Sequence, residues 1–269
     1  TYTPTMGEWN HYVATKSGNT YSLYVDGALI GSDTDSDNAT IGTQSFIAQN
    51  GNNNNFDGCI SQVGIWDEAL TADEVSSLYN HGLPIDLSTD QAAYESSSNL
   101  VGYWRMGSGT LDTYPLIADQ TNATLGSELV TNGDFATNSD WTLQSSWTIS
   151  GGKANYDAVT TQHYLKQTMS SIAAGKTVKI QFDISDVQAG KNAFFKLEIS
   201  GTPEVVFTYT TFTAGTYTYY HTITNGLDRL NFVPLNTSTG GAFSIDNVSV
   251  KEVNGNPAIM TNQTSSDIE

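Results

Sequence analysis

The chain has 269 residues, of which 38% are apolar and 11% aromatic, enough to build cores for about two domains. A formal charge of −18 with only 10 Lys and Arg excludes a nucleic-acid backbone as partner, since such binding needs clustered cations. No apolar run approaches the roughly 18 residues of a membrane-spanning segment, and no basic amphipathic stretch is present, so membrane insertion is excluded as well. The single cysteine, Cys59, rules out an internal disulfide and is expected to be a small core residue. A high content of Tyr, Phe, Thr, Ser, Asn and Gly beside 14% charged residues is the composition of a β-rich protein with polar loops.

In chain order, Trp9–Thr15 and Tyr21–Val25 read as strands joined by a hairpin across Lys16–Thr20. Asp26-Gly27 predicts a two-residue type I′ turn that folds the second strand back onto Ala28–Gly31. Strands are also predicted over Ala39–Gly42 and Gly58–Trp66, the latter with Cys59, Ser61, Val63 and Ile65 on one face. Thr71 and Glu74 have capping-box spacing, with Leu70 and Val75 as a hydrophobic staple, so one short helix is predicted over residues 72–80, stopped by Gly82. Asp33–Asn38 has the oxygen spacing of a Ca²⁺ loop, but Asn38 replaces its glycine and Gln44 its closing Glu, so an acidic, solvated loop is expected. Asn50–Asn55 reads as a second exposed loop.

Gly7-Glu-Trp-Asn-His-Tyr-Val13, Tyr21–Gly27, Ile41-Gly42, Phe56-Asp-Gly58, Val63-Gly-Ile-Trp66 and Ala69–Val75, followed by Leu78-Tyr-Asn80 and Gly82, resemble the C-terminal half of the laminin-G-like, concanavalin-A-like lectin sandwich. The resemblance covers about residues 5–83 and implies strands ahead of Thr1, so residues 1–98 are expected to be the C-terminal part of such a module. Members that cleave glycans carry a Glu-x-Asp-x-x-Glu strand, whose carboxylates act as nucleophile and acid. That spacing does not occur in this sequence, so no catalytic residue is expected and the chain is read as non-enzymatic.

Leu100–Met106 resembles the opening strand of another laminin-G-like unit, and Ile117–Leu125 the loop and strand that follow it, which makes residues 99–128 a junction. A new pattern runs over residues 129–253, and residues 254–269 resemble the continuation of the junction unit, so the intervening module reads as an insertion into a surface loop. Within it, Val178, Ile180, Phe182 and Ile184 alternate with polar residues. Phe195, Leu197 and Ile199 repeat the period, as do Val205, Phe207 and Tyr209, then Leu230 and Phe232. In the last strand Phe243 and Ile245 are out of step with Val248 and Val250, which predicts a bulge at Asp246-Asn247. The fold class is therefore all-β, two antiparallel β-sandwich (jelly-roll) modules with one short helix.

Asn132-Gly-Asp-Phe135, Trp141, Trp147–Ala154, Gln167-Thr168, Ala174-Gly-Lys176, Gly215-Thr-Tyr217 and Ser244–Val250 resemble the galactose-binding-like jelly roll of carbohydrate-binding modules. The resemblance spans residues 129–253 and implies a structural Ca²⁺ between the first and last strands. Ala136 stands where the usual acidic ligand would be, so Asp134 is the substitute, with Asp246 opposite. Sugar binding needs flat aromatic faces flanked by hydrogen-bonding groups. Of the available aromatics, Trp141, Tyr156 and Tyr164 are the candidates, with Gln162 as a polar partner, while Phe135 and Trp147 are assigned to the core.

The four histidines have no metal-ligand spacing, and neither a Gly-x-Ser-x-Gly elbow nor a phosphate loop occurs. The mosaic, with Val101–Met106 and Pro257–Asn262, resembles virion structural proteins of tailed bacteriophages, such as capsid-decorating or tail fibres. That resemblance implies a virion-surface location, partners among surface glycans and other virion proteins, and a homo-oligomer. The alternatives are an ancillary carbohydrate-binding region of a secreted, extracellular bacterial glycan-degrading enzyme, and a pure spacer without ligand.

Overall fold

The computed structural model describes residues 2–3, 5, 7–36, 58–158, 163–200, 204–235, 240–260 and 265. The chain divides into two compact units, one taking Thr1–Thr113 and Ile117–Asn122, the other Tyr114–Leu116 and Ala123–Ser265. Both are built from antiparallel strands, and the fold is all-β with one short α-helix.

In the first unit β1 (Tyr12–Ser17), β2 (Thr20–Val25) and β3 (Ala28–Thr34) form a three-stranded meander. Asp26 and Gly27 both have positive φ, 50° and 77°, the signature of the type I′ turn that pairs Val25 with Ala28. The strand predicted from Gly58 begins later, as β4 (Val63–Trp66), and Cys59 is exposed rather than a core residue because no strand carries it inward. The helix α1 (Ala72–Tyr79) has the predicted capping box, with Glu74 N donating to Thr71 Oγ1 at 3.2 Å and Thr71 N to Glu74 Oε2 at 2.8 Å. The other oxygen of Glu74 accepts from Ser96 Oγ and from Glu95 N, so one carboxylate both caps the helix and pins the segment ahead of the next strand.

That strand, β5 (Leu100–Trp104), pairs with β4. Tyr103 joins Val13, Tyr24, Leu70, Val75, Leu78, Leu87 and Tyr94 in one core. Asp119, fully buried, accepts from Tyr103 N at 3.0 Å and Thr121 N at 3.1 Å. Tyr103 and Leu100 of β5 thus pack in the first unit's core, and residues 117–122 group with that unit. The strand expected over Ala39–Gly42, the end of the acidic loop and Asn50–Asn55 lie outside the described residues.

The short strand β6 (Leu116–Ile117) precedes the second unit's sandwich. Its strands follow as β7 (Thr142–Leu143), β8 (Trp147–Ser150), β9 (Lys153–Tyr156), β10 (Leu165–Ile172), β11 (Thr177–Ser185), β12 (Ala193–Ile199), β13 (Glu204–Phe212), β14 (Gly215–Thr222), β15 (Leu227–Pro234) and β16 (Phe243–Val253). They form two five-stranded antiparallel sheets, ordered β13-β12-β15-β10-β7 and β14-β11-β16-β9-β8. A last strand, β17 (Ala258–Ile259), is followed by Met260, whose N donates to Pro115 O at 2.8 Å.

Val178, Ile180, Phe182 and Ile184 are all buried, as their alternation requires, and Phe182 meets Phe195, Phe207, Phe212 and Phe232 at ring-centroid distances of 5.5–6.3 Å. The bulge predicted in β16 is present: Gln181 faces Ser249 but Asp183 faces Asp246, and Asn247 takes a φ of 49°. Beside it the opening motif is strapped down, with Val248 N donating to Gly133 O at 2.9 Å. A Cβ at position 133 would lie 2.0 Å from Val248 O, so only glycine fits. The chain's entry into the module is zipped to its exit: Gly126 N donates to Glu252 O, Leu129 N to Val250 O, and Asn254 N to Thr124 O.

Replacing Phe182 with alanine is expected to destabilise the second unit by about 3–5 kcal/mol, measurable by guanidinium unfolding. A second test concerns the buried Glu204, whose carboxylate accepts from Thr224 N and Asn225 N and faces His221 Nε2, each at 2.7 Å. Burial alone would raise its pKa, but these hydrogen bonds outweigh that and hold it below the usual carboxylate range. Its stabilisation is therefore complete above the unfolded-state pKa and lost as pH falls through the lower native value. Glu204→Gln should cost about 1–3 kcal/mol at neutral pH and flatten the acid side of the stability curve.

Candidate functional site

The sheet β13-β12-β15-β10-β7 turns one face to the core and the other to solvent, and the solvent face collects side chains with binding chemistry. Its inward positions are Leu165, Phe195, Leu197, Ile199, Leu230 and Phe232, all fully buried. The alternating outward positions are Lys166 on β10, Phe194, Lys196 and Glu198 on β12, and Arg229, Asn231 and Val233 on β15. Strand register sets Lys166 opposite Asn231, Asn231 opposite Glu198, and Val233 opposite Lys196.

Strand β13 supplies one more ring through two irregularities in its pairing. Phe195 faces Thr210, Leu197 faces Phe207, and Glu198 faces Val205, so β13 carries an extra residue on either side of Phe207. A one-residue shift moves a side chain to the other face of a sheet. Val205, Phe207 and Tyr209, expected on one face, are thus separated: Phe207 packs on the core, whereas Val205 is 39% exposed and Tyr209 turns outward. The Tyr209 and Phe194 rings lie 5.5 Å apart at 30°, and Lys196 Nζ sits 5.6 Å from the Tyr209 centroid.

Polar contacts knit the face together. Lys196 Nζ pairs with Glu198 Oε1 at 2.5 Å, and Asn231 Nδ2 donates to Glu198 Oε2 at 3.1 Å. The Glu198 carboxylate raises the Lys196 pKa, keeping the ammonium charged. Tyr164 sits one place before β10 with its backbone N bonded to Gln144 Oε1 at 2.8 Å, and Lys166 Nζ lies 5.1 Å from its ring centroid. From β13 to β10 there are three strand spacings, about 14 Å of aromatic and hydrogen-bonding surface. Flat rings next to amide, ammonium and carboxylate groups can stack on the apolar side of a sugar ring while bonding its hydroxyls.

Of the described residues expected to bind sugar, Tyr164 alone is placed on this face. Trp141 is 7% exposed, packs 5.0 Å from Phe135 and spends its Nε1–H on Asn132 O, so it is a core residue. Tyr156 is 3% exposed and wedged between Trp147 and Phe243, each 5.3 Å away, so it too belongs to the core. Gln162 lies outside the described residues. Phe135 and Trp147 are in the core as assigned. The outward residues the sequence reading did not single out are Phe194, Lys196, Glu198, Arg229, Asn231 and Lys166, and the signal available was the charged or amide residues alternating with buried apolar ones on β10, β12 and β15.

The carboxylates expected to ligate a Ca²⁺, Asp134 and Asp246, are each engaged locally. Asp134 Oδ1 accepts from Ala136 N and Asp246 Oδ1 from Asn247 N, each carboxylate capping its own turn. Among the described residues no three His, Cys, Asp or Glu side chains group together.

Residues 1–76 match the Laminin_G_3 family, described as the concanavalin A-like lectin/glucanases superfamily. No curated protein matches the chain. Among solved structures, the CBM22-1 xylan-binding domain from Paenibacillus barcinonensis is 14% identical with a TM-score of 0.35, over 49% of this chain and 97% of that one. The K3 cleaved adhesin domain of Lys-gingipain from Porphyromonas gingivalis is 9% identical with a TM-score of 0.37, over 46% of this chain and 98% of that one. The enzymatically active domain of tailspike protein 4 from bacteriophage CBA120 is 16% identical with a TM-score of 0.33, over 46% of this chain but 21% of that one.

Because Trp141 is a core residue, Trp141→Ala is expected to lower the second unit's stability by about 3–5 kcal/mol, read as a shift in denaturant midpoint.

Proposed function

We propose that the chain is a non-catalytic glycan-binding protein whose second unit holds sugar on the outer face of the β13-β12-β15-β10-β7 sheet. The observation that carries this reading is the outward Phe194–Tyr209 ring pair continued by Lys196, Glu198 and Asn231 across adjacent strands. Two adjacent rings on a solvated sheet face offer the flat apolar surface on which a sugar ring can stack. The match of residues 1–76 to a lectin and glucanase superfamily supports a glycan-directed setting.

The setting we infer is attachment at a surface, as a capsid-decorating or tail-fibre protein working with other virion proteins. It rests on the Val101–Met106 and Pro257–Asn262 phrases, and immunogold labelling of particles would test it. The reading as an ancillary region of a secreted glycan-degrading enzyme is favoured by the glucanase members of the matched family. The absence of a Glu-x-Asp-x-x-Glu strand from this sequence would leave the chemistry to another polypeptide segment.

Titration against a glycan array should give binding that Tyr209→Ala weakens about tenfold or more, a loss of roughly 1.4 kcal/mol. The variant's unfolding midpoint should stay close to the parent's, since this ring lies outside the core. Glycan binding untouched by Tyr209→Ala would place the site elsewhere.

A further inference from the structure

We propose that the glycan taken by this face is anionic, its carboxylate or sulfate groups read by Lys166 and Arg229; the inference rests on the glycan-binding reading above. The chain has 28 Asp and Glu against 10 Lys and Arg, yet Lys166, Lys196 and Arg229 share this one sheet face. Lys196 is already neutralised by Glu198 at 2.5 Å. Arg229 gives only Nε to Asp228, at 3.1 Å, and its terminal guanidinium nitrogens make no hydrogen bond among the described residues. Lys166 forms no ion pair among the described residues, and its Nζ lies over the Tyr164 ring.

Register brings these two cations together. Arg229 faces Thr168 and Asn231 faces Lys166, so Lys166 and Arg229 are diagonal neighbours about 7–8 Å apart, with Tyr164 beside Lys166. A uronate residue stacked on Tyr164 would therefore meet an ammonium and a guanidinium fork, the group that matches a carboxylate in a bidentate way. A neutral sugar needs only amides and hydroxyls, and Asn231 and Thr168 already provide them. The long-range field of a chain with formal charge −18 repels an anionic polymer, so such a ligand is retained only where cations are set locally.

The test is a panel of uronate and sulfated glycans, each printed beside its carboxyl-reduced or desulfated form and probed with the full chain. The charged member of at least one pair should bind about tenfold tighter, with the advantage lost in about 0.5 M salt, where screening reaches a few ångströms. Which kind of pair responds separates carboxylate from sulfate. The Lys166→Gln/Arg229→Gln double variant should lose the preference, while Lys179→Gln, on the outer face of the other sheet, should keep it. Equal or tighter binding of the neutral members would overturn the inference and leave the glycan reading standing. So would a preference that survives in the double variant or disappears with Lys179→Gln. No binding to any member would sink both.

Discussion

Between Phe207 and Thr210 strand β13 holds one more residue than the stretch of β12 it faces, and the surplus turns Tyr209 from core to solvent. The outward Phe194–Tyr209 ring pair depends on that surplus. Without it Tyr209 would share the face of Phe207 and compete for space already occupied by Phe182, Phe195 and Phe212. With it the core keeps one ring and the surface gains another. Strand pairing thereby performs a sorting of aromatics that composition alone could not.

The outward ring is only as well placed as the sheet beneath it. Phe182 reaches across the sandwich to Phe195 on β12 and Phe232 on β15, the two strands that carry Lys196, Glu198 and Asn231 on their opposite side. The charges on that side are tethered in turn, Lys196 to Glu198 and Asn231 to Glu198, so a ligand would meet side chains whose rotamer freedom is already spent. Preorganisation of this kind lowers the entropic cost of binding. Three of the chain's ten cations, Lys166, Lys196 and Arg229, stand on this face of an otherwise acidic chain.

How much of this the sequence reveals follows the range of each signal. Features set by neighbours in the chain were legible: the Asp26-Gly27 turn, the Thr71–Glu74 cap, the β11 alternation and the Asp246-Asn247 bulge. Features set by pairing were not. Phe194 and Phe195 are adjacent, so one must point outward, yet which one depends on strand parity fixed by distant partners. The same limit misplaced Trp141 and Tyr156, whose loop-like contexts concealed side chains folded over Phe135 and Phe243. Parity did hold a clue for Tyr156, since it lies in step with the fully buried Ala154 on β9. Likewise β5 reads locally as an opening strand, whereas its backbone partners in β4 make it a member of the first unit.

The zipped ends of the second unit bear on how such a chain is made and remade. Glu128 at the entry accepts from Val250 N at the exit, 122 residues apart in sequence. A ribosome must therefore deliver nearly the whole module before its first and last strands can close, and closure over so long a loop is slow compared with hairpin formation. Once closed, the two ends leave side by side, so the module occupies no more of a host chain than a loop tip does. Evolution can then exchange the module as a cassette, leaving the polypeptide on either side in register.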